Sequence, residues 1–266
     1  MRFRKLSSYR ISGVVLALGL IAPALGQSPP PMPPLRARLI ANFQRDQAAL
    51  QDYTHREHVL VDKDGTADAR TLKVWYVRGH EVQQTIALDQ RSLSPEEIEA
   101  ERQRALRRAR DAESRPATSP GVIQFEGQNY SFAKLADDYV YTPDRTERWR
   151  GREIWVYRAT PNPAAPRSSR AETILLHSQG EIWVDAEDQH VMRITVHTTA
   201  PVKYGLGVLA TIHSASLDLW MERAAPELWL PASASFHVQA TILLLKSLSR
   251  SKQQNFSEWT KSVGYQ

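Results

Sequence analysis

Hydrophobic residues recur with two different periods along this chain, and the change of period marks the predicted elements. In residues 35–51 the apolar side chains fall near one helical stripe, while arginine and glutamine occupy the other face. The stripe consists of Leu35, Leu39, Phe43 and Leu50. This pattern predicts a surface helix that lays one side on an apolar surface elsewhere in the protein.

From Tyr53 onward apolar and polar residues alternate, which is the period of a half-buried strand. Residues 53–61 and 69–77 predict two strands. The sequence Asp-Lys-Asp-Gly at residues 62–65 lies between them and predicts a hairpin turn. Residues 79–88 predict a third strand.

A charged helix follows the third strand. Ser94 is the predicted N-cap, Pro95 stands at the first helical position, and Glu97 completes a capping box. Two Glu–Arg pairs at a spacing of three residues can form along it: Glu99–Arg102 and Glu101–Arg104. We interpret this segment as a solvated helix stabilised by its own charges. A basic patch for anionic lipid or nucleic acid is the alternative, which the glutamates disfavour.

The rest of the chain is predicted to be mostly strand, apart from a polar loop at residues 111–121 and a short helix within residues 130–141. Strands are predicted at residues 146–149, 152–160, 173–185, 190–199, 212–222, 229–239 and 241–259, the last one broken. Few helices and many strands predict an α+β fold. We expect a strongly curved antiparallel sheet, a half-barrel, with helices covering its concave side.

Alternation along the strands sorts the side chains into two sets. One set is almost free of charge, and we expect it to line a hydrophobic cavity that accepts an apolar ligand. Its members are Leu72, Val74, Tyr76, Ile154, Val156, Ile182, Val184, Ile194, Val196, Leu217, Leu219, Met221 and Phe236. The two predicted helices look insufficient to cover so much apolar surface. The alternative, which stays open, is that loops and strand curvature close the core without a cavity.

The second set mixes charge with about one tryptophan per strand. It includes Trp75, Trp155, Trp183 and Trp220. The set indicates either a docking surface for a partner or, as we favour, charged side chains whose stems pack over each indole.

Residues 201–210 form a separate apolar stretch with two glycines. They predict either a mobile flap at a cavity mouth or a bulged corner of the sheet.

The N-terminus has the pattern of a secretory signal peptide over residues 1–26. A basic start precedes an apolar run of about a dozen residues, and small residues stand before a cleavage site near Gly26. Residues 27–34 predict a proline-rich linker, and residues 35–266 a single domain. Residues 1–26 hold four of the 34 basic residues and none of the 29 acidic ones, so the net charge falls from +5 to +1 on cleavage. A nucleic-acid partner is therefore not expected.

No catalytic or metal-binding signature is present. The chain has no cysteine, and it lacks the serine-hydrolase, phosphate-loop, dinucleotide and zinc-protease motifs. His55 and His58 are the nearest candidates for a metal pair, but on a strand their spacing points them to opposite faces. The acidic residues 185–188 could hold calcium, although their position favours a turn. We expect no enzymatic activity, no metal and no cofactor.

Several segments resemble the bacterial periplasmic lipoprotein-carrier (LolA-like) superfamily, in particular its outer-membrane lipoprotein-sorting-like members. The segments are Tyr-Thr-His-Arg-Glu-His at residues 53–58, Leu-Ser-Pro-Glu-Glu at 93–97, Tyr-Arg-Ala-Thr-Pro at 157–161, Gly-Glu-Ile-Trp-Val-Asp at 180–185, Val-Met-Arg-Ile at 191–194 and Trp-Leu-Pro at 229–231. The resemblance implies a curved half-barrel with helices as a lid. It also implies a cavity for the acyl chains of a lipoprotein or lipid.

The sequence therefore predicts an exported periplasmic carrier that holds an acyl chain inside a curved sheet. Its expected partners are a lipoprotein acyl chain or lipid, together with proteins of the inner or outer membrane. The alternative is an envelope protein-interaction or stress-sensor module of the same fold without lipid cargo.

Overall fold

The computed structural model describes residues 28–89, 91–119, 122–125, 128–165, 174, 176–204, 209–225 and 228–262. Its helices are α1 (Met32–Leu50), α2 (Pro95–Ser114) and α3 (Phe132–Asp137). Its strands are β1 (Tyr53–Lys63), β2 (Thr66–Val77), β3 (His80–Leu88), β4 (Arg91–Ser92), β5 (Val122–Phe125), β6 (Gln128–Ser131), β7 (Tyr139–Trp149), β8 (Arg152–Pro161), β9 (Ser178–Asp185), β10 (Val191–Thr198), β11 (Val202–Tyr204), β12 (Ala210–Ala225), β13 (Leu228–Ile242) and β14 (Lys246–Lys261). The predicted signal peptide lies outside the described residues.

Twelve strands form one antiparallel sheet in the order β4-β3-β2-β1-β14-β13-β12-β10-β9-β8-β7, with β11 paired to β12. The last strand, β14, lies between β1 and β13, so it joins the N-terminal and C-terminal parts of the chain into one sheet. The sheet is curved and does not close, since β4 and β7 stand at its two ends. The prediction of an α+β half-barrel is confirmed.

The hairpin predicted at residues 62–65 joins β1 to β2. Asp64 and Gly65 both have positive φ, and the Gly65 amide donates to a carboxylate oxygen of Asp62 at 3.0 Å. An aspartate that accepts from the backbone ahead of a glycine at positive φ is favoured in such turns. Local sequence thus accounts for this connection.

The capping box predicted for α2 is present. The Glu97 amide donates to the Ser94 hydroxyl, and the Glu97 side chain accepts from the Ser94 amide. The helix lies along β3, where Arg108 donates to the carbonyl of Gln83 and Glu101 accepts from the amide of Thr85. Because these backbone groups lie on an outer strand, α2 protects a sheet edge that would otherwise be open.

The helix α1 begins at Met32, within the stretch predicted to be a linker. Prolines are tolerated in the first helical turn, where the backbone amides have no intrahelical partner. Met32 is buried, and the hydroxyl of Tyr157 donates to the carbonyl of Pro30 at 2.9 Å. The proline-rich stretch expected to be a linker over residues 27–34 therefore includes the first turn of α1, and Met32 within it packs on the sheet.

Of three other predicted segments, one strand begins later than expected, one helix is present, and one apolar stretch lies partly outside the described residues. The strand predicted from residue 173 begins at Ser178, because the His177 amide donates to the carbonyl of Ile174 in a turn. The short helix within residues 130–141 is present as α3, and the Phe132 ring stacks on Phe43 of α1 at 4.0 Å. In the stretch 201–210, Val202 is buried in β11, whereas residues 205–208 lie outside the described residues.

Candidate functional site

The helix α1 packs on one face of the sheet with the apolar stripe predicted for it. Leu35 and Leu39 are buried in one cluster with Met32. The sheet side of this cluster consists of Tyr157, Ile182, Val184 and Val191, with Tyr141, Trp155 and Ile194 beside them. Each fully buried aliphatic side chain contributes roughly 1.5–3 kcal/mol, so this contact is the main force that holds α1 in place.

Strand register defines the face that α1 covers, which we call the α1 face. Directly paired residues of neighbouring antiparallel strands point to the same side of a sheet. Tyr157 pairs with Ile182, and Ile182 pairs with Ile194, so all three lie under α1. The same side continues through Leu219, which pairs with Ile194.

Most of the residues predicted to line a cavity lie on the α1 face. Ile182, Val184 and Ile194 pack directly under α1. Val196, Leu217 and Phe236 form a cross-strand row on the same side.

The other predicted lining residues lie in separate parts of this side. Leu72 and Val74 are buried with Val59 at the β1–β2 end, and Tyr76 packs with Leu50 and Leu230. The remaining members on or beside this face are Leu219 and Met221, which approach the C-terminal half of α1.

Ile154 and Val156 do not share this face, which corrects the sorting of the two sets. They pair with Asp185 and Trp183, whereas Trp155 pairs with Val184. The sequence Glu-Ile-Trp-Val occurs in both β8 and β9, and alternation along each strand places the isoleucine and valine of both copies in one set. The antiparallel register between the two segments is offset by one residue, so that Val156 pairs with Trp183, and equal positions therefore point to opposite sides.

A small cavity remains between α1 and the sheet. It has a volume of about 20 Å³ and is lined by Leu39, Phe43, Asp46, His190, Val191, Ile194, Leu219 and Met221. This volume has room for about one water molecule. One end is polar, because one oxygen of the buried Asp46 carboxylate lies 3.4 Å from Nε2 of His190. The other oxygen lies 3.8 Å from Nε of Arg45 and accepts no hydrogen bond from the part of the chain that the structure describes. With α1 in this position, the cavity is too small for an acyl chain.

Polar contacts join α1 to the turn between β9 and β10. The Asn42 amide donates to the carbonyl of Gln189 at 2.8 Å, and Arg38 donates to the Gln189 side chain at 2.6 Å. Arg45 lies 2.9 Å from Nε2 of His190. Sequence reasoning missed Asp46 and His190 as a pair, because no local pattern links a helix residue to a turn so distant in sequence.

The β9–β10 turn is itself organised by one buried carboxylate. The Asp185 carboxylate accepts hydrogen bonds from the backbone amides of Glu187 and Asp188, and the Arg152 guanidinium donates to both of its oxygens. Burial by itself raises the pKa of Asp185, but the hydrogen bonds from Arg152 and from these amides outweigh it, so the pKa lies below its ordinary value. The acidic residues 185–188 therefore form a turn, the interpretation that their position favoured.

A second buried pair lies in β1. His55 Nε2 and the Glu57 carboxylate are 3.2 Å apart, and Gln254 donates to the other Glu57 oxygen. The His55 ring stacks on Trp259 at 3.9 Å. His58 is exposed, as its spacing from His55 predicted. The alternation of His55 and Glu57 on one face was the available signal for this pair, and sequence reasoning did not use it.

The opposite side of the sheet carries Trp183 and Trp220 and is called here the tryptophan face. The Arg193 guanidinium lies 5.0 Å from the Trp183 ring centre and 4.4 Å from that of Trp220. Asp218 accepts two hydrogen bonds from the same guanidinium. The interpretation that charged side chains pack over these indoles is confirmed. Trp155, however, lies on the α1 face.

Ion pairs on the tryptophan face and in the β9–β10 turn predict a loss of stability in acid. Arg145 holds the pKa of Glu181 below its ordinary value, and the pKa of Asp185 is lowered as described above. A carboxylate with a lowered folded-state pKa stabilises the protein above its unfolded-state pKa, and that stability is lost as pH falls through the folded-state value. We expect the urea midpoint to be nearly constant from about pH 7 to 5 and to fall below about pH 4. Glu181→Gln should flatten this fall, and an unchanged pH profile in that variant would contradict the assignment.

Within the described residues, no group of three histidine or acidic side chains is arranged to hold a metal ion. Among the helices of the described ranges, none is long and apolar enough to cross a membrane.

Comparison with solved structures finds matches of low sequence identity over most of the chain. An outer membrane lipoprotein-sorting protein domain from Vibrio parahaemolyticus matches with 12% identity and a TM-score of 0.37, over 86% of this chain and 94% of that one. A DUF1329 family protein from Desulfovibrio piger matches with 13% identity and a TM-score of 0.39, over 88% and 95%. A LolA superfamily protein from Nitrosomonas europaea matches with 7% identity and a TM-score of 0.35, over 86% and 94%. Two of these matches are named after the group that the sequence resembles, at low identity and low TM-score.

No protein-family model matches the chain, and no curated protein matches it.

Proposed function

We propose that this chain is an exported periplasmic carrier that holds an acyl chain of a lipoprotein or lipid between α1 and the sheet. The observation that supports this proposal is that a separate helix covers an aliphatic wall and leaves a cavity under it. Alkyl chains bind such walls because each buried CH₂ contributes about 0.8 kcal/mol. The carrier acts by binding and release, without enzymatic chemistry.

Cargo entry requires α1 to move away from the sheet. The cavity of about 20 Å³ holds one water, so the apolar contacts of Leu35 and Leu39 must be exchanged for contacts with the ligand. This exchange conserves buried apolar surface, which keeps its free-energy cost low. The hydrogen bonds from Arg38 and Asn42 to Gln189 are exposed or half-buried and can be replaced by hydrogen bonds to water.

Leu219→Gln is the variant that tests the binding wall. Leu219 lines the cavity, so a polar amide there should weaken binding of a fluorescent fatty-acid probe by roughly tenfold or more. Ser216→Gln is the matched control, because Ser216 is an exposed residue of the same strand that points to the other side. The protein should be used without residues 1–26, since every described helix and strand lies after them. Mass spectrometry of organic extracts then identifies any lipid that copurifies.

Two outcomes count against the carrier. If extracts contain no lipid and the probe does not bind, the sensor module without cargo becomes the better description. If Leu219→Gln and Ser216→Gln bind the probe equally well, the acyl site is not the wall under α1.

A further inference from the structure

A group of exposed leucines lies at one end of the sheet, far in sequence from α1. Leu243, Leu244 and Leu245 form the turn between β13 and β14 and are 61%, 63% and 92% exposed. Leu209, 54% exposed, lies beside them, and its carbonyl accepts from the Leu243 amide at 3.1 Å. We call these four residues the leucine tip. Single exposed leucines are common, but a contiguous group marks an interaction site.

The backbone of this turn is unfavourable for leucine. Leu243 and Leu244 have φ of 52° and 60°, and the Leu245 amide donates to the carbonyl of Ile242. Two central residues at positive φ are the signature of a type I′ turn, for which asparagine and glycine are strongly preferred. The sequence thus places large apolar residues where both exposure and backbone conformation disfavour them. Such a conflict indicates a function that requires those side chains.

The tip projects beyond the neighbouring turn. Asp64, in the β1–β2 turn, donates its amide to Ser249, whereas the β13–β14 hairpin continues past that level to Leu245. On the other side, Ala210 pairs with Ile242, so Leu209 stands level with the start of the turn. The leucines therefore form a narrow convex projection with basic residues behind it: Lys203, Lys246 and Arg250 are all exposed.

This shape and charge fit a lipid bilayer better than a protein surface. Among the described residues, the four side chains of the tip offer far less than the roughly 800 Å² per partner that a stable protein interface buries. An apolar projection can instead enter the boundary between headgroups and acyl chains, while lysine side chains remain at the headgroup level and attract anionic lipid. The Asp64 carboxylate, in the adjoining β1–β2 turn, lies behind the tip, where it accepts a hydrogen bond from the Ser249 amide.

We propose that the leucine tip is a membrane-docking element that inserts into the surface of an anionic bilayer. The proposal does not depend on the acyl cargo proposed above, because the tip lies on a different part of the sheet. It assigns the end of the sheet that carries the β13–β14 turn as the side that faces a membrane.

Co-sedimentation with vesicles tests this element. The protein without residues 1–26 should bind vesicles of phosphatidylethanolamine and phosphatidylglycerol (3:1) more tightly than vesicles of phosphatidylcholine alone. The double variant Leu243→Asn/Leu244→Gly should reduce that binding at least tenfold, and it should raise the melting temperature because both residues suit a type I′ turn. The matched control is Ile98→Gln/Leu106→Gln, which removes two exposed aliphatic residues from α2 and should leave binding within about twofold.

Three results would overturn the proposal. The wild-type protein could fail to bind either kind of vesicle, or the tip variant, shown by its melting curve to be folded, could bind as well as wild type. The third is a concentration-dependent dimer in sedimentation velocity that the tip variant abolishes while no vesicle binding occurs, which would assign the tip to a second copy of the chain.

Discussion

Replacing Asp185 by alanine is expected to lower the free energy of unfolding by about 3–5 kcal/mol. The carboxylate is fully buried and accepts from Arg152 and from the amides of Glu187 and Asp188. Removing it leaves a guanidinium without its main partner and two turn amides without their acceptor. The same turn presents Gln189 and His190 to α1, so the loss should also loosen the helix.

Urea unfolding of Asp185→Ala, followed by circular dichroism, measures this effect. The control is Asp68→Ala, which breaks the exposed ion pair with Arg70 and should cost less than about 1 kcal/mol. Asp185→Asn should fall between the two, because an amide oxygen can still accept from the turn. A change in Asp185→Ala no larger than that of Asp68→Ala would show that the turn does not depend on this carboxylate.

Truncating Leu39 to alanine is expected to release α1 from the sheet. Leu39 is buried in the contact between α1 and the sheet and also lines the cavity. A buried leucine-to-alanine change costs about 2–5 kcal/mol, with the larger values where the cavity cannot collapse. Because α1 is joined to the sheet by side chains and not by strand pairing, we expect the cost to appear as local opening of the helix.

Hydrogen exchange separates this local opening from global unfolding. Amides of α1 should exchange faster in Leu39→Ala, while those of β9 and β10 stay protected, and the fatty-acid probe should enter more rapidly. Val59→Ala is the matched control, since Val59 is buried with Leu72 and Val74 away from the cluster under α1. It should lower global stability without selective exchange in α1. Equal acceleration in α1 and β9–β10 for Leu39→Ala would mean that the helix is not a separate lid.

Much of the architecture could be read from local patterns. The turn at residues 62–65 and the capping box at Ser94 depend on side chain–backbone hydrogen bonds between near neighbours. The stripe of α1 and the alternation from Tyr53 onward follow from the periods of helix and strand. Such features require no knowledge of what lies across the sheet, so the α+β class and most of the elements were predictable.

The proposed site depends on relations between distant segments. Ile154 and Val156 could not be assigned to a face from alternation alone, because alternation separates two faces of one strand without relating them to those of its neighbour. The proximity of Asp46 to His190, and the stacking of Arg193 over Trp183 and Trp220, likewise follow from packing. The leucine run at residues 243–245 read as part of a strand, and only the turn at positive φ exposes it.

Local sequence thus specifies the strands, the turns and the apolar stripe of α1, because short-range hydrogen bonding and periodic burial act within a few residues. Three properties arise only when strands far apart in the chain pair and α1 packs on them. They are the strand register, the side of the sheet on which each side chain lies, and the small size of the cavity under α1. One residue of register shift would exchange the two faces of a strand, and no local pattern carries that information.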